Sequence, residues 1–487
     1  MTNRAQFDPH FADATGSRSA IVQLFEWTFA DIESECLLYL GPNRFGAVQV
    51  SPVNEVRILP DRPWRERYEP ISYKIFGRSG NEMQFRSMVK TCNEAGVRIY
   101  VEVVLNNMAG GSGSVAGTAG SVAYPVNKDY PDAPYGAGDF NDACIILPGS
   151  EPHEVRNCQV NDMPDLNQGL ARVRQRITDF LNKLIAAGVA GFYVHAAKNM
   201  WPHDLKAIYS KLENLSISAG FPPESKPFIY QDVLDLSSEG TFRNDYLVLG
   251  MVTEYRFAYD IGAIMFKQKP FHLMVNLGTR LGFIPREKSI IFIDDQVLQR
   301  KHKVEDFPKI VTFNHSRLYR IALVFMLGHR YGTPRIMSSY YFSYSDEEPP
   351  STTIGTILPV LLDEDDQCTG TWICEHRWKV VTSMMRFRIE VADQPVISWV
   401  DNGQNQLAFC RGKVGFIAIN AEISLSMKAN LYTCLEAGIY CDIISGKANG
   451  EECSGLAVAV DDDGRAEIFI SSEAEDPFIV LLASEKV

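Results

Sequence analysis

The chain has 487 residues, with 47 Lys and Arg against 60 Asp and Glu, a net charge of −13, a pI near 5.3 and 46% hydrophobic residues. This composition excludes disordered and collagen-like classes and describes a folded, acidic chain long enough for about three domains at roughly 150 residues each. The negative surplus repels phosphate backbones and anionic lipid heads, and no local basic run offsets it, so neither nucleic acid nor a membrane surface is an expected partner. No apolar run approaches the roughly 18 residues that would span a bilayer.

In chain order, the first twenty residues, Met1 to Ala20, are polar and hold no apolar h-region, so no signal peptide is expected within them. Eight short β-branched runs follow, at 21–25, 46–50, 98–105, 191–194, 228–233, 251–255, 289–293 and 335–337, with helical stretches between. They are nearly continuous in apolar character, as strands covered on both faces are, and predict an α/β chain built on a (β/α)8 TIM barrel. An open doubly wound sheet is the alternative. Between 106 and 169 the helical period disappears and Gly, Pro, Asn and Asp dominate, which predicts a loop domain inserted after the third strand. From 392 onward short alternating strands, at 406–410, 415–420, 438–443 and 466–470, predict an antiparallel C-terminal β-sandwich. The expected division is 1–105 and 170–391 for the barrel, 106–169 for the insertion and 392–487 for the sandwich.

The ten cysteines include no CxxC pair, which argues against zinc and thioredoxin-like chemistry. Close couples such as Cys144 with Cys158, Cys368 with Cys374 and Cys441 with Cys453 fit local disulfides and an oxidising compartment. The sequons at Asn214 and Asn314 agree with secretion as a glycoprotein. An extracellular location is expected. In a barrel the reactive groups lie at the C-terminal strand ends, which deliver Asn106 and Asn107, His195, Asp232, Glu254, and Asp294 with Asp295.

Four segments carry a resemblance: Val22-Gln23-Leu24-Phe25-Glu26-Trp27, Gly46-Ala47-Val48-Gln49-Val50-Ser51-Pro52, Arg78-Ser79-Gly80-Asn81-Glu82 and Ala197-Lys198-Asn199-Met200-Trp201-Pro202. With Asp165-Leu166-Asn167-Gln168-Gly169, Cys374-Glu375-His376-Arg377-Trp378 and Tyr440-Cys441-Asp442, they resemble animal-type α-amylases of glycoside hydrolase family 13 over nearly the whole chain. The resemblance implies a barrel with an inserted loop domain and a Greek-key tail. It also implies disulfides Cys36–Cys92, Cys144–Cys158, Cys368–Cys374 and Cys441–Cys453. Cys410 and Cys434 fall outside that set and are left as a bridge, an interchain link or buried thiols.

The catalytic positions depart from the family. Retaining glycosidases need a carboxylate nucleophile and a carboxylic acid donor around an oxocarbenium-like transition state, and these amylases add a third acid. The family's Gly-Phe-Arg-x-Asp-Ala is matched by Gly191-Phe192-Tyr193-Val194-His195-Ala196, which puts His195 at the nucleophile. Its general-acid Glu is matched by Asp232, one methylene shorter, and a misplacement of about 1 Å can cost roughly 100-fold. Its Asp-Asn-His-Asp becomes Asp294-Asp295-Gln296-Val297, so Val297 replaces the third acid. A substrate-binding histidine is Asn107, and the glycine-rich loop after the seventh strand is replaced by Lys301-His302-Lys303-Val304-Glu305-Asp306.

A pseudoenzyme without α-1,4-glucan hydrolysis is therefore expected, acting as a binding, storage or structural protein whose protein partner the sequence does not name. The alternatives are a rearranged hydrolase or transglycosylase using Asp232 with Asp294 or Glu254, and a non-catalytic carbohydrate-binding protein. His195 is read as an imidazole hydrogen-bonded in the barrel mouth to Asp232, with a His/Asp metal site shared with Asp294 as the alternative.

By the same resemblance, the family's chloride ligands fall on Tyr193, Asp295 and Arg335. Asp295 is expected to pair with Arg335, and no chloride is expected. The calcium ligands map to Asn106, the carbonyl of Arg156, Asp165 and the carbonyl of Asn199, oxygen donors suited to a hard cation, so calcium is the expected cofactor. The family's Arg-Pro-Trp-Trp-Glu-Arg-Tyr reads Arg62-Pro63-Trp64-Arg65-Glu66-Arg67-Tyr68, leaving Trp64 and Tyr68 as platforms for weak oligosaccharide contact.

Overall fold

The computed structural model describes residues 20–147, 149–235, 243–301 and 309–487. The polar stretch before Ala20, and residues His302 to Asp306 of the replaced loop, lie outside the described residues.

All eight predicted runs form strands: β1 Ile21–Leu24, β2 Ala47–Val50, β3 Arg98–Val104, β4 Gly191–His195, β5 Phe228–Gln231, β6 Met251–Thr253, β7 Ser289–Ile291 and β8 Thr333–Ser338. They close as a parallel barrel in the order β1-β8-β7-β6-β5-β4-β3-β2. Every residue of β1, β2 and β3 is buried, which is why these strands read as unbroken apolar runs. The register sets Glu102 beside Tyr193 and Val104 beside His195, while Val194 faces Gln231, so His195 and Asp232 emerge from neighbouring strand ends. Gly191 begins β4 because a Cβ there would lie 2.4 Å from the Phe228 carbonyl oxygen.

Three strands stop two residues short of the expected ends. Gln231, Thr253 and Ile291 are the last paired residues of β5, β6 and β7, so Asp232 and Glu254 follow their strands and do not belong to them. At Glu254 the cause is local: its carboxylate accepts the Arg256 N–H at 3.2 Å and caps helix Tyr255–Met265.

The chain divides into two compact units. One holds the described residues of Met1–Thr253, Glu287–Ile290 and Ser338–Ile373, the other Glu254–Arg286, Ile291–Met337 and Cys374–Val487.

In the first unit, helix Glu82–Glu94 starts in a reciprocal cap: Gln84 N–H donates to Asn81 and the Gln84 side chain accepts the Asn81 N–H, both at 3.0 Å. Helix Ala171–Ala186 buries Val173, Ile177, Leu181, Leu184 and Ile185 on one stripe. The segment between β3 and that helix carries little regular structure, as the sequence predicts. It is anchored through buried Glu55, whose carboxylate accepts the Ala119 N–H at 2.8 Å, the Ser121 N–H at 2.9 Å and the Ser72 hydroxyl at 2.5 Å.

In the second unit the C-terminal strands are β9 Val396–Asp401, β10 Gln406–Arg411, β11 Gly415–Asn420, β12 Met427–Tyr432, β13 Gly438–Asp442, β14 Ala457–Val460, β15 Arg465–Ile470 and β16 Phe478–Lys486. Six form one sheet, β9-β10-β11-β16-β13-β14, and β12 pairs antiparallel with β15. Alternate residues of β15, Ala466, Ile468 and Ile470, meet Phe416, Tyr440 and Leu481 in the core.

Disulfides join Cys36 to Cys92, Cys144 to Cys158 and Cys441 to Cys453. Cys368 and Cys374 are bonded as well, and no cysteine is free. The question left open at Cys410 and Cys434 is answered by a fourth mapped bridge between them. It closes a loop with a separation of 24 residues inside the sandwich core. Replacing both cysteines by alanine is expected to lower the stability of the C-terminal domain by about 2–4 kcal/mol, read as an earlier denaturant midpoint. Peptide mapping under non-reducing conditions should recover Cys410 and Cys434 as one linked species.

Candidate functional site

In the first unit, β4 delivers His195 and the end of β5 delivers Asp232. The His195 Nδ1 lies 3.4 Å from the Glu102 carboxylate and 4.0 Å from Asp232. Of the two, Glu102, projecting from β3 beside β4, is the carboxylate nearer that ring nitrogen. Asp232 accepts the Ala196 N–H at 3.3 Å. Glu102 is fully buried and receives the Gln49 amide at 3.3 Å, while Gln49 accepts the Tyr230 hydroxyl at 2.8 Å. Tyr193 stacks on Tyr230 with ring centroids 5.0 Å apart. Tyr193, at the first chloride position, is thus a buried ring in an aromatic layer.

The His195 ring packs against Tyr68, centroids 4.4 Å apart and planes inclined by 37°. Trp64 stands edge-on to Tyr68 at 5.7 Å and donates its indole N–H to the Ser345 carbonyl at 2.7 Å. Arg65, where the family has a second tryptophan, pairs with Asp346 at 3.1 Å. Its aromatic platform is replaced by a charged contact.

The calcium-mapped residues come together in two pairs. Asn107 bridges Asp165, and Leu166 donates to the Asn106 carbonyl at 2.8 Å, which sets Asn106 beside Asp165. Asn199 donates its amide to the Val155 carbonyl at 2.9 Å, beside Arg156. Asn106 Oδ1 and Asp165 Oδ1 are buried without a hydrogen-bond partner. Burial pushes the Asp165 carboxyl up to about 8 against the opposing hydrogen bond from Asn141. Among the described residues, no group of three or more His, Cys, Asp or Glu side chains gathers as a metal site. The donor set here consists of amide, carbonyl and carboxylate oxygens.

In the second unit, both oxygens of buried Asp294 are engaged, by the Tyr319 hydroxyl and the Gln299 amide, each at 2.7 Å. Burial, reinforced by the charge of Glu375, holds the Asp294 carboxyl well above the ordinary carboxylate range. Asp295 accepts the N–H groups of Val297 and Leu298 at 2.9 and 2.8 Å and pairs with Arg335 at 3.5 Å. The Arg335 guanidinium lies 4.5 Å over the Phe292 ring. Val297 contributes an apolar, half-buried side chain and a backbone donor. Glu254 is fully buried, one oxygen on the Arg256 N–H and the other on the Ile284 N–H at 2.9 Å.

Two relatives decide the family. An "Alpha-amylase-related protein" of Drosophila sechellia is 44% identical over 484 residues, covering 99% of this chain and 96% of its own length. That of Drosophila melanogaster is 43% identical with the same coverage. The chain belongs to the α-amylase family. The family of the α-amylase C-terminal all-beta domain matches residues 397–484. Wild-type α-amylase I from Eisenia fetida is 38% identical with a TM-score of 0.90, covering 96% of this chain and 97% of its own. A variant of that enzyme, with the same similarity, was solved with maltohexaose. The gamma-CGTase from an alkalophilic Bacillus clarkii, at 15% identity, TM-score 0.67 and coverage of 96% of this chain and 70% of its own, shares the fold alone.

The residues missed by sequence reasoning are Glu102, Gln49 and Tyr230. The available signal was a glutamate inside the apolar run Arg98-Ile99-Tyr100-Val101-Glu102-Val103-Val104, since a charge buried in a barrel strand needs a partner. In this family member Asp295 both caps a turn and neutralises Arg335. Asp295→Asn should leave Arg335 without its carboxylate and lower stability by about 3 kcal/mol, measured by thermal or chemical denaturation.

Proposed function

We propose that this α-amylase family member is secreted, holds calcium, and does not hydrolyse α-1,4-glucan, serving as a binding, storage or structural protein. The observation that carries this reading is His195 at the end of β4, its Nδ1 turned to Glu102 and its ring on Tyr68. An imidazole engaged in this way offers no carboxylate oxygen to attack an anomeric carbon. Val297 can neither ionise nor donate a proton from its side chain. The carboxylates that a rearranged hydrolase would recruit are spent elsewhere: Asp294 on Tyr319 and Gln299, Glu254 on two backbone N–H groups. A general acid has to reach a glycosidic oxygen, and these groups are committed inside the fold.

The Tyr68 ring supports weak glycan contact at most, because His195 occupies part of its surroundings and Tyr68 is itself buried. Trp64, half-buried with its N–H donated, keeps an edge for a sugar. Chloride has no role in this reading, since the Arg335 charge is met by Asp295. Secretion is supported by the bonded state of all ten cysteines. The sequon asparagines Asn214 and Asn314 are both exposed, as glycan acceptors must be.

Incubation of the purified protein with starch and a chromogenic maltooligosaccharide is expected to give no turnover above a mock preparation. Turnover abolished by Asp232→Ala would overturn the reading.

For calcium, the orphaned oxygens of Asn106 and Asp165 fit the ion, and the carbonyls of Arg156 and Asn199 would complete the ligand set. Bound there, calcium would supply the positive charge that buried Asp165 lacks. Calcium at about a hundredfold excess over Kd should stabilise the protein by about 2.7 kcal/mol relative to chelator-treated protein. The gain should vanish in Asn106→Ala and Asp165→Ala. Equal midpoints with calcium and with chelator would remove the ion from the account.

A further inference from the structure

The six-stranded sheet of the C-terminal domain has β9 at one edge and β14 at the other, and the two are built differently. At β9 the register with β10 slips between Ile397 and Val400, and Ser398 takes a positive φ of 53°. A bulge of this kind twists an edge away from further pairing. At β14 the register with β13 runs unbroken, setting Gly438 beside Val460, Ile439 beside Ala459, Tyr440 beside Val458 and Cys441 beside Ala457. The strand reads Ala457-Val458-Ala459-Val460, without a charge or a proline. Charges, prolines and bulges are the devices that blunt an edge, so β14 stands as a flat apolar template.

The ladder fixes which main-chain groups face outward. The Asp442 N–H donates to the Leu456 carbonyl at 2.9 Å, which makes these two a hydrogen-bonded pair. Hydrogen-bonded and non-hydrogen-bonded pairs alternate in an antiparallel ladder, so Val458 and Val460 bond to β13 while the N–H and C=O groups of Ala457 and Ala459 point to the open edge. The two alanine side chains are exposed and small. A groove of about 440 Å³ runs along this edge, lined by exposed Leu456 and Phe469 and by buried Ile479. In the turn to β15, Asp461 accepts the Asp463 and Arg465 N–H groups at 3.0 and 2.8 Å, and exposed Asp462 and Asp463 follow it. Glu467 adds a further carboxylate to the groove, while the Arg465 guanidinium donates to the Asn430 carbonyl at 3.2 Å. The hairpin leading into β14 carries exposed Glu451 and Glu452 against Lys447. The balance of charge around the edge is negative.

We propose that the open edge of β14 docks an extended segment of a partner protein in which apolar residues alternate with lysine or arginine. The outward groups of Ala457 and Ala459 supply the main-chain hydrogen bonds, and their short side chains let a second backbone approach. The apolar groove takes alternate side chains of the segment, since neighbouring residues of a strand point to opposite faces. The acidic surround favours a basic segment over a neutral or acidic one. A second copy of this chain would set acidic surface against acidic surface, which like charge opposes. The surface lies in the C-terminal domain, and its assignment does not depend on the reading of the barrel strand ends.

The test titrates the full chain into a fluorescein-labelled peptide of alternating lysine and valine, six residues long, and reads fluorescence anisotropy. Saturable binding is expected, with slowed hydrogen exchange at the Ala457 and Ala459 amides in the complex. The same peptide N-methylated at its internal amides keeps its charge but cannot pair as a strand, and should not bind; nor should a peptide of alternating glutamate and valine. Ala459→Pro removes an outward N–H and leaves the bonds to β13 in place, so it should weaken binding roughly tenfold. The exposed double variant Asp462→Asn/Asp463→Asn should weaken it roughly threefold. The comparison of peptides is made on the unaltered chain, so it decides the matter even where Ala459→Pro fails to fold. No saturable binding of the basic peptide, equal binding of its N-methylated form, equal affinity in folded Ala459→Pro, or self-association of the chain abolished by Ala459→Pro would overturn the proposal.

Discussion

A buried charge is costly unless an opposite charge or several hydrogen bonds meet it, and that requirement orders this molecule. Buried Arg67 answers Glu26 at 3.0 Å, and buried Glu55 gathers backbone N–H groups and hydroxyls. Asp295 answers Arg335, and Glu254 starts a helix. Asp294 likewise accepts from Tyr319 and Gln299. One place where the rule is left incomplete is the pair of orphaned oxygens at Asn106 and Asp165.

The same requirement applies at the strand ends of the barrel. These strand ends carry an imidazole beside Glu102, an aspartate accepting a backbone N–H, and a valine. Fold and activity come apart because burial and strand pairing stabilise the first while a few side chains decide the second.

Much of the architecture was legible in the residues. Ile21-Val22-Gln23-Leu24 and Ala47-Val48-Gln49-Val50 are apolar on both sides of the pleat, and only a covered parallel strand tolerates that, so the barrel could be read. Strand ends were less legible. Tyr255 continues the β-like run of Met251-Val252-Thr253, yet Glu254 ends it by capping a helix, a contest between propensity and capping that the sequence leaves undecided. At the site, the side chains at His195, Asp232 and Val297 were legible by position, whereas Glu102 as the carboxylate nearest the His195 Nδ1 was not. Pairing across β3 and β4 depends on register, which no single strand contains.

By itself, then, the sequence determined the barrel, the C-terminal β-domain, the family and the identity of the side chains at each strand end, because these follow from periodicity and from motifs contiguous in the chain. Tertiary structure alone decided which charges meet. It bridged Cys410 to Cys434 and set His195 beside Glu102. The reason is range: hydrophobic period acts within a few residues, while electrostatic and covalent partners are set by distance in space, and folding brings together segments that lie far apart along the chain.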